Sequence, residues 1–422
     1  MSYSNPNSDS DVTDIPDNKS HQPFLYLRLS AYYFFFLAAL GAFVPYWPPY
    51  LKSLNFTPVE IGELMAIVLL TKLIAPYFLG WLADRFHRRL VIIQVSTFLS
   101  AIAFAGVFID SSYWGLVIIM GIFGFFWNSS LPLFEALTLN HLGDDTHQYS
   151  RIRLWGSVGF IVMVAGLPMI IDSYDISILP VILIVLLLVN GLTSLLVKDK
   201  QNTEKAKTNT ELRLIELLKK PMVIALLASC ALQSMSHGAY YTFISIYLDD
   251  HHYSGTVIGY MWALGVIAEI VLFLFAYKLL HRFGIYRLYT IALLITSLRW
   301  VILALWVDTF AALIFAQLLH AASFGLFHVT AISLTHLLFP GQMQGRGQAL
   351  YAGLSFGLGG ALGSWLSGNT WESFGSTWTF LASATIALLG AMIAARFIQK
   401  NYLPDYVQIT HEHRPNKAKN SD

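Results

Sequence analysis

Lys72, Glu135, Arg153, Glu269 and Arg299 each fall inside, or at the edge of, a long apolar run of this 422-residue chain. A charge in hydrocarbon costs at least ~2.5 kcal/mol on insertion scales, so an acid or base in such a run is a candidate for an ion, proton or ligand path. Glu269, Arg299 and His320 sit near the middle of their runs. An acid, a base and an imidazole at similar depth can neutralise one another and still exchange a proton, because imidazole titrates near pH 6.5 when unperturbed. Glu135 and Arg153 come from consecutive runs joined by a short polar segment, so antiparallel packing can bring them together as a charge-assisted pair. Asn128, seven residues before Glu135, shares its helical face. Ser234, His237, Tyr241 and Ser245 follow 3-4-4 spacing, a polar stripe of the kind that faces a bundle interior or a wet cavity. Plainer readings stay open: Arg153 and Lys72 can snorkel to the nearest interface, and His237 can simply bond a neighbouring helix. His320, His328 and His336 are eight residues apart, and each step rotates about 80° at 3.6 residues per turn. They are therefore not expected to share one cavity, and the central His320 is the candidate.

The elements that hold these residues are membrane spans. The chain is 56% hydrophobic and 12% charged, against roughly 25% charged residues in a soluble globular chain. A helix needs about 20 residues to cross the hydrocarbon core. Runs of that order lie near 25–47, 59–80, 90–109, 113–139, 153–172 and 177–197, then near 221–248, 255–280, 286–306, 310–338, 346–369 and 375–399. Of the Lys and Arg residues, Lys52 alone falls in a loop assigned to the outside, and nearly all the others cluster at every second boundary between runs. That alternation is the positive-inside pattern, and it places both termini in the cytoplasm. A net charge of +1 gives no sign of a nucleic-acid partner, and the single Cys230 excludes an intrachain disulfide and a multi-cysteine metal site. The polar ends, 1–23 and 401–422, read as disordered cytoplasmic tails. Between them lie a six-helix half at 24–197, a basic linker at 198–220 and a second half at 221–400.

Between the second and third runs the chain reads Gly80-Trp81-Leu82-Ala83-Asp84-Arg85-Phe86-His87-Arg88-Arg89. This resembles the major facilitator motif G-x-L-x-D-R-x-G-R-R at the position where that superfamily carries it. By that resemblance Gly80, Asp84, Arg85 and Arg88 form a conformational latch, Asp84 accepting from the N–H groups of a neighbouring helix start. His87 stands where the motif has glycine, and His281-Arg282-Phe283-Gly284 looks like a degenerate second copy.

Further stretches, Arg151-Ile152-Arg153-Leu154-Trp155-Gly156-Ser157, Ser236-His237-Gly238-Ala239-Tyr240-Tyr241, Trp262 to Glu269, Leu298-Arg299-Trp300 and Leu318-Leu319-His320, resemble the phenylpropionate permease family. The chain is more distantly similar to the lactose permease and nucleoside:proton symporter group. The resemblance implies that Glu135 and Arg153 hold polar groups of a solute, and that Glu269, Arg299 and His320 form a substrate and proton site. Two positions depart from the lactose permease pattern: Ser323 replaces the proton-carrying acid and Gln317 replaces a lysine. Arg299 is then expected to have fewer fixed partners and to be available, with Lys72, to an anionic substrate.

The expected protein is an all-α integral membrane protein with the major facilitator fold, twelve helices in two six-helix bundles. Its expected activity is uptake of a small aromatic or other carboxylate by alternating access, with H+ as coupling ion and no cofactor or metal. A nucleoside or sugar symporter is the alternative, with an efflux pump or a non-transporting sensor behind it. No cluster with the spacing of an enzyme site is evident. A bacterial inner membrane, a small-molecule solute as partner, no nucleic acid and a monomer complete the expectation.

Overall fold

The computed structural model describes residues 22–143, 145, 147–198 and 211–399. The expected tails lie outside the described residues except for Gln22 and Pro23, and so does linker segment 199–210. The rest of the linker carries a short helix, Glu211–Leu218.

Among the described residues, eleven helices are long and apolar enough to cross a membrane. They are α1 (Phe24–Ser53), α2 (Pro58–Phe86), α3 (Arg89–Phe108), α4 (Tyr113–Leu142), α5 (Gln148–Tyr174), α6 (Ile176–Leu195), α7 (Pro221–Asp250), α8 (Gly255–Phe283), α9 (Ile285–Trp306), α10 (Phe310–Leu338) and, at the end, α12 (Ser376–Phe397). Residues 344–374 form a continuous helical segment between the last two, α11. Its glycines, with Gln344, Arg346 and Gln348, dilute its hydropathy, yet it completes the twelve.

Starts and stops follow local chemistry. Thr57 caps α2 through a capping box with Glu60, and Ser112 and Ser254 cap α4 and α8. The turn after α2 has a positive φ at His87 (+51°), and the turn after α8 has one at Gly284 (+79°). The two half-copies both stop the helix at a residue of positive φ, but His87 is fully left-handed (ψ +33°) whereas Gly284 turns on to an extended ψ of +147°.

Apolar side chains face lipid along most spans, so helix contacts within the bundle depend on small residues. A Cβ on Gly159 of α5 would lie 2.2 Å from the Phe34 carbonyl of α1. Gly156 meets Leu37 of the same helix. The two halves touch in the same way. A Cβ on Gly62 of α2 would lie 2.6 Å from the Ser364 carbonyl of α11, and one on Gly259 of α8 would lie 2.1 Å from the Val164 carbonyl of α5. At that end of the bundle Lys52 and Asp250 form an ion pair at 2.5 Å, and the Val59 amide donates to Glu372 across the halves. This end is closed.

Replacing Gly62 with valine inserts atoms where backbone now sits, an overpacking cost of about 1–3 kcal/mol. Spin labels on cysteines introduced at Leu54 and His252 (Cys230 is buried and silent) are expected to move apart in Gly62→Val. An unchanged separation with wild-type activity would show that the α2–α11 contact does not hold this end shut.

Candidate functional site

A cavity of about 330 Å³ lies between the halves. Four helices around it are irregular. A 3₁₀ turn at Thr71–Leu73 breaks α2, a kink at His237 breaks α7, and π-turns occupy Ala321–Leu326 of α10 and Gly353–Gly359 of α11. Irregular backbone at membrane depth is tolerated where it borders a cavity and its polar groups find partners.

Asn128 supplies such partners. Its amide donates to the Val68 carbonyl at 2.7 Å and to Thr71 Oγ1 at 2.9 Å, bracing the break in α2. It is not part of the cavity wall, so its shared face with Glu135 does not bring the two into one site.

Lys72, in the middle of that break, lines the cavity. Among the described residues it makes no hydrogen bond or ion pair. Arg153 lines the same cavity, with its Nε 3.7 Å from Glu135 Oε1 and its guanidinium over the Tyr33 ring. Glu135 itself is not part of the cavity wall.

On the opposite wall are His237, Tyr241, Glu269 and His320. His320 Nε2 lies 3.8 Å from Glu269 Oε2. Two glycines make room for this pair: a Cβ on Gly265 would meet the imidazole at 3.3 Å, and one on Gly325 would meet Glu269 Cγ at 3.1 Å.

Arg299 occupies a different place from the one expected. It is fully buried behind the wall rather than on it. Nor are its partners few: Nε donates to the Ala316 carbonyl (2.8 Å), Nη1 to Ser323 Oγ (3.1 Å) and Nη2 to Gln317 Oε1 (3.2 Å). The two substituted positions, Gln317 and Ser323, are therefore its acceptors. Its guanidinium also lies 4.2 Å from the Tyr240 ring centroid and 4.7 Å from that of Trp300. The contact between Nη1 and His320 Nδ1 at 3.1 Å decides the tautomer. Arginine only donates, so Nδ1 accepts and Nε2 carries the proton, which faces Glu269.

His328 falls in line with His320, against the helical phase reckoned from the sequence. The rings of His320, Phe324 and His328 stack with interplanar angles of 6° and 8°. A π-turn takes up one extra residue, about 100° of phase, and this cancels most of the 80° offset of an eight-residue step. His328 Nδ1 meets Tyr351 Oη at 2.8 Å, while His336 is exposed. The site also includes Gln233, Tyr240 and Trp262. None has a charge to betray it in an apolar run.

The motif loop is away from the cavity. Asp84 is 71% exposed and bonds Arg89 at 2.9 Å. Arg85 lies over the Trp81 ring, and Arg88 is exposed. A Cβ on Gly80 would meet only Leu133, at 4.0 Å, so no close helix approach occurs there in this conformation.

Twelve spans in two halves, shut at one end over a charged central cavity, define a membrane transporter of the major facilitator type. The chain belongs to the MFS_1 like family, whose model matches residues 26–382. It is 28% identical over 389 residues to a probable 3-phenylpropionic acid transporter of Escherichia coli (strain K12), covering 88% of this chain and 96% of that one. It is 25% identical over 369 residues to a maltose permease of Geobacillus stearothermophilus, covering 84% and 90%. Among solved structures, that of the nucleoside transporter NupG superposes with a TM-score of 0.77 at 17% identity, covering 89% of this chain and 99% of that one. The protein is thus a multi-pass secondary transporter.

Arg299→Ala leaves buried acceptors on α10 without a donor, at a cost of about 2–4 kcal/mol. A clear drop in Tm of the purified protein is expected, together with loss of transport. Arg299→Lys keeps the charge without the planar fork and is expected to rescue neither; a native Tm in the lysine variant would contradict this account of the four contacts.

Proposed function

We propose that this protein takes up a small aromatic carboxylate across the bacterial inner membrane, coupled to H+, and acts as a monomer on a solute it does not alter chemically. The observation that carries the reading is the pairing, in one cavity, of the partnerless Lys72 with an aromatic wall that includes Tyr240, Tyr241, Trp262 and Phe324. A carboxylate taken from water needs a cation in compensation, and Lys72, with Arg153 beside it, supplies that charge. The ring would rest on the aromatic side chains. Arg299 acts from behind the wall by holding His320 with its Nε2–H toward Glu269, while Glu269 carries the proton, and Glu135 orients Arg153. The similarity to a probable 3-phenylpropionic acid transporter points the same way.

Loop charge supports the orientation. The closed end carries Asp110, Asp172, Asp249 and Asp308, and the opposite end carries Arg85, Arg88, Arg151, Arg282 and Arg346. By the positive-inside rule the closed end is external and both termini are cytoplasmic. The conformation is then inward-facing, and the Asp84 latch belongs to the state in which the cytoplasmic end shuts. The second reading, a neutral nucleoside or sugar, is favoured by the Glu135–Arg153 pair and by the maltose and nucleoside transporters among the similar proteins.

In liposomes holding the pure protein, an inward-directed proton gradient is expected to drive accumulation of 3-phenylpropionate. Lys72→Gln should raise its KM by about 10- to 100-fold, the worth of one charge-assisted hydrogen bond. Glu269→Gln should lose gradient-driven accumulation while retaining counterflow exchange. Uptake indifferent to the gradient would eliminate symport, and an unshifted KM in the lysine variant would eliminate its contact with the anion.

A further inference from the structure

Among the described residues, two acceptors in the cavity wall have no donor. Gln233 and His237 lie one turn apart on α7, both line the cavity, and they are 2% and 3% exposed. The Gln233 amide is fixed in orientation: Nε2 donates to Thr296 Oγ1 at 2.9 Å and to the Ser323 carbonyl at 2.6 Å. Both amide hydrogens are thereby used, and Oε1 is buried with no partner. His237 is fixed likewise. Its Nδ1 lies 2.9 Å from the Gln233 carbonyl, which can only accept, so Nδ1 carries the proton and the neutral ring's Nε2 is a lone pair. That Nε2 is also buried without a partner. Buried polar groups are ordinarily satisfied, and each exception calls for a ligand, a water or a functional reason.

We infer that the solute carries a hydrogen-bond donor, a hydroxyl on its aromatic portion, whose single hydrogen is shared between Gln233 Oε1 and His237 Nε2 on α7 as a three-centre bond. The inference rests on the aromatic-carboxylate reading and narrows it to hydroxyaryl carboxylates. The anionic end would lie toward Lys72 and Arg153, contributed by the other half of the bundle, and the hydroxyl toward α7. The ring then spans the two halves, with Tyr241 and Trp262 available to contact its faces. The hydrogen-bonding need at Gln233 and His237 is specific in sign: both groups accept, so an ether or a halogen in the hydroxyl's place would meet lone pair with lone pair.

The test measures binding to the purified full-length protein of four probes: 3-phenylpropionate, its ring-hydroxylated counterpart, and the primary amides of both. A hydroxyl that satisfies a buried acceptor is expected to tighten binding of the acid about tenfold. His237→Phe and Gln233→Met are each expected to bring the hydroxylated-to-plain affinity ratio close to one. Gln233→Met also removes the bonds to Thr296 and Ser323, so if it fails to give folded protein His237→Phe decides alone. Equal affinities for the two acids in the wild type, or a ratio that survives His237→Phe, would overturn the hydroxyl site. Amides that bind as well as their acids would instead overturn the carboxylate reading, with the hydroxyl ratio still measurable within the amide pair. Binding of none of the four would overturn both.

Discussion

A guanidinium with no exposed surface, held entirely by neutral acceptors, sets the geometry of the second half. Arg299 reaches from α9 to one stripe of α10, where Ala316, Gln317, His320 and Ser323 present a carbonyl, an amide oxygen, an imidazole nitrogen and a hydroxyl. A cation buried at membrane depth must find such partners or it drives the helix out of register. Four acceptors from a single helix, with two aromatic faces, meet that need without an acid. Because no carboxylate neutralises Arg299 directly, its charge is felt at His320, whose Nδ1 it occupies. The ring's remaining N–H is then turned to Glu269, the acid that lies at 3.8 Å. Position and tautomer at the titratable pair both follow from one buried donor.

The helix irregularities are the means by which this is done. Where α10 runs as a π-turn, the Ser323 carbonyl is available to accept from Gln233 on α7 at 2.6 Å, and the extra residue swings His328 under Phe324 and His320. Where α2 tightens to a 3₁₀ turn, Asn128 takes up the Val68 carbonyl. Both of these departures from the regular helix are matched by an amide side chain from a neighbouring helix, in agreement with the high cost of an unpaired backbone group in hydrocarbon. The two departures facing each other across the halves, at Leu73 and Gly357, are in contact: a Cβ on Gly357 would lie 3.1 Å from the Leu73 side chain. Backbone breaks therefore border the cavity from both halves.

What the sequence made legible is what hydropathy and charge encode. The run near 221–248 is the helix Pro221–Asp250, and that near 310–338 is Phe310–Leu338. The depth of the buried charges was equally plain, since a charge in an apolar run stands out. Direction around a helix was not. Whether Arg299 points into the cavity or behind its wall depends on which side of α9 faces α10, and a span apolar on all sides records no such preference. Asn128 shows the same gap, because it lies on the face reckoned for it and spends its amide on α2. The alignment of His328 with His320 was out of reach, because a π-turn shifts the phase on which the reckoning relied. Gln233 and Tyr240 carry no charge, and a neutral polar residue in a span is too common to single out.

The closed end also limits how firmly this conformation can be held. The Lys52–Asp250 pair is nearly half exposed on both sides, and an exposed ion pair contributes roughly 0–1 kcal/mol. The larger share must come from close packing, with Gly62 and Gly368 of α2 and α11 and Gly259 of α8 bringing backbone against backbone. Such contacts are short-ranged: a shift of about an ångström forfeits much of the dispersion attraction between the surfaces. An interface of small residues is therefore either fully made or lost, which favours two discrete arrangements over a continuum. At the other end Asp84 is bonded to Arg89 within its own loop, an exposed pair that also costs little to break. A transporter needs both properties, a closed state that is well defined and one that is only weakly preferred. Small residues at the crossings, with charges confined to exposed pairs, provide them together.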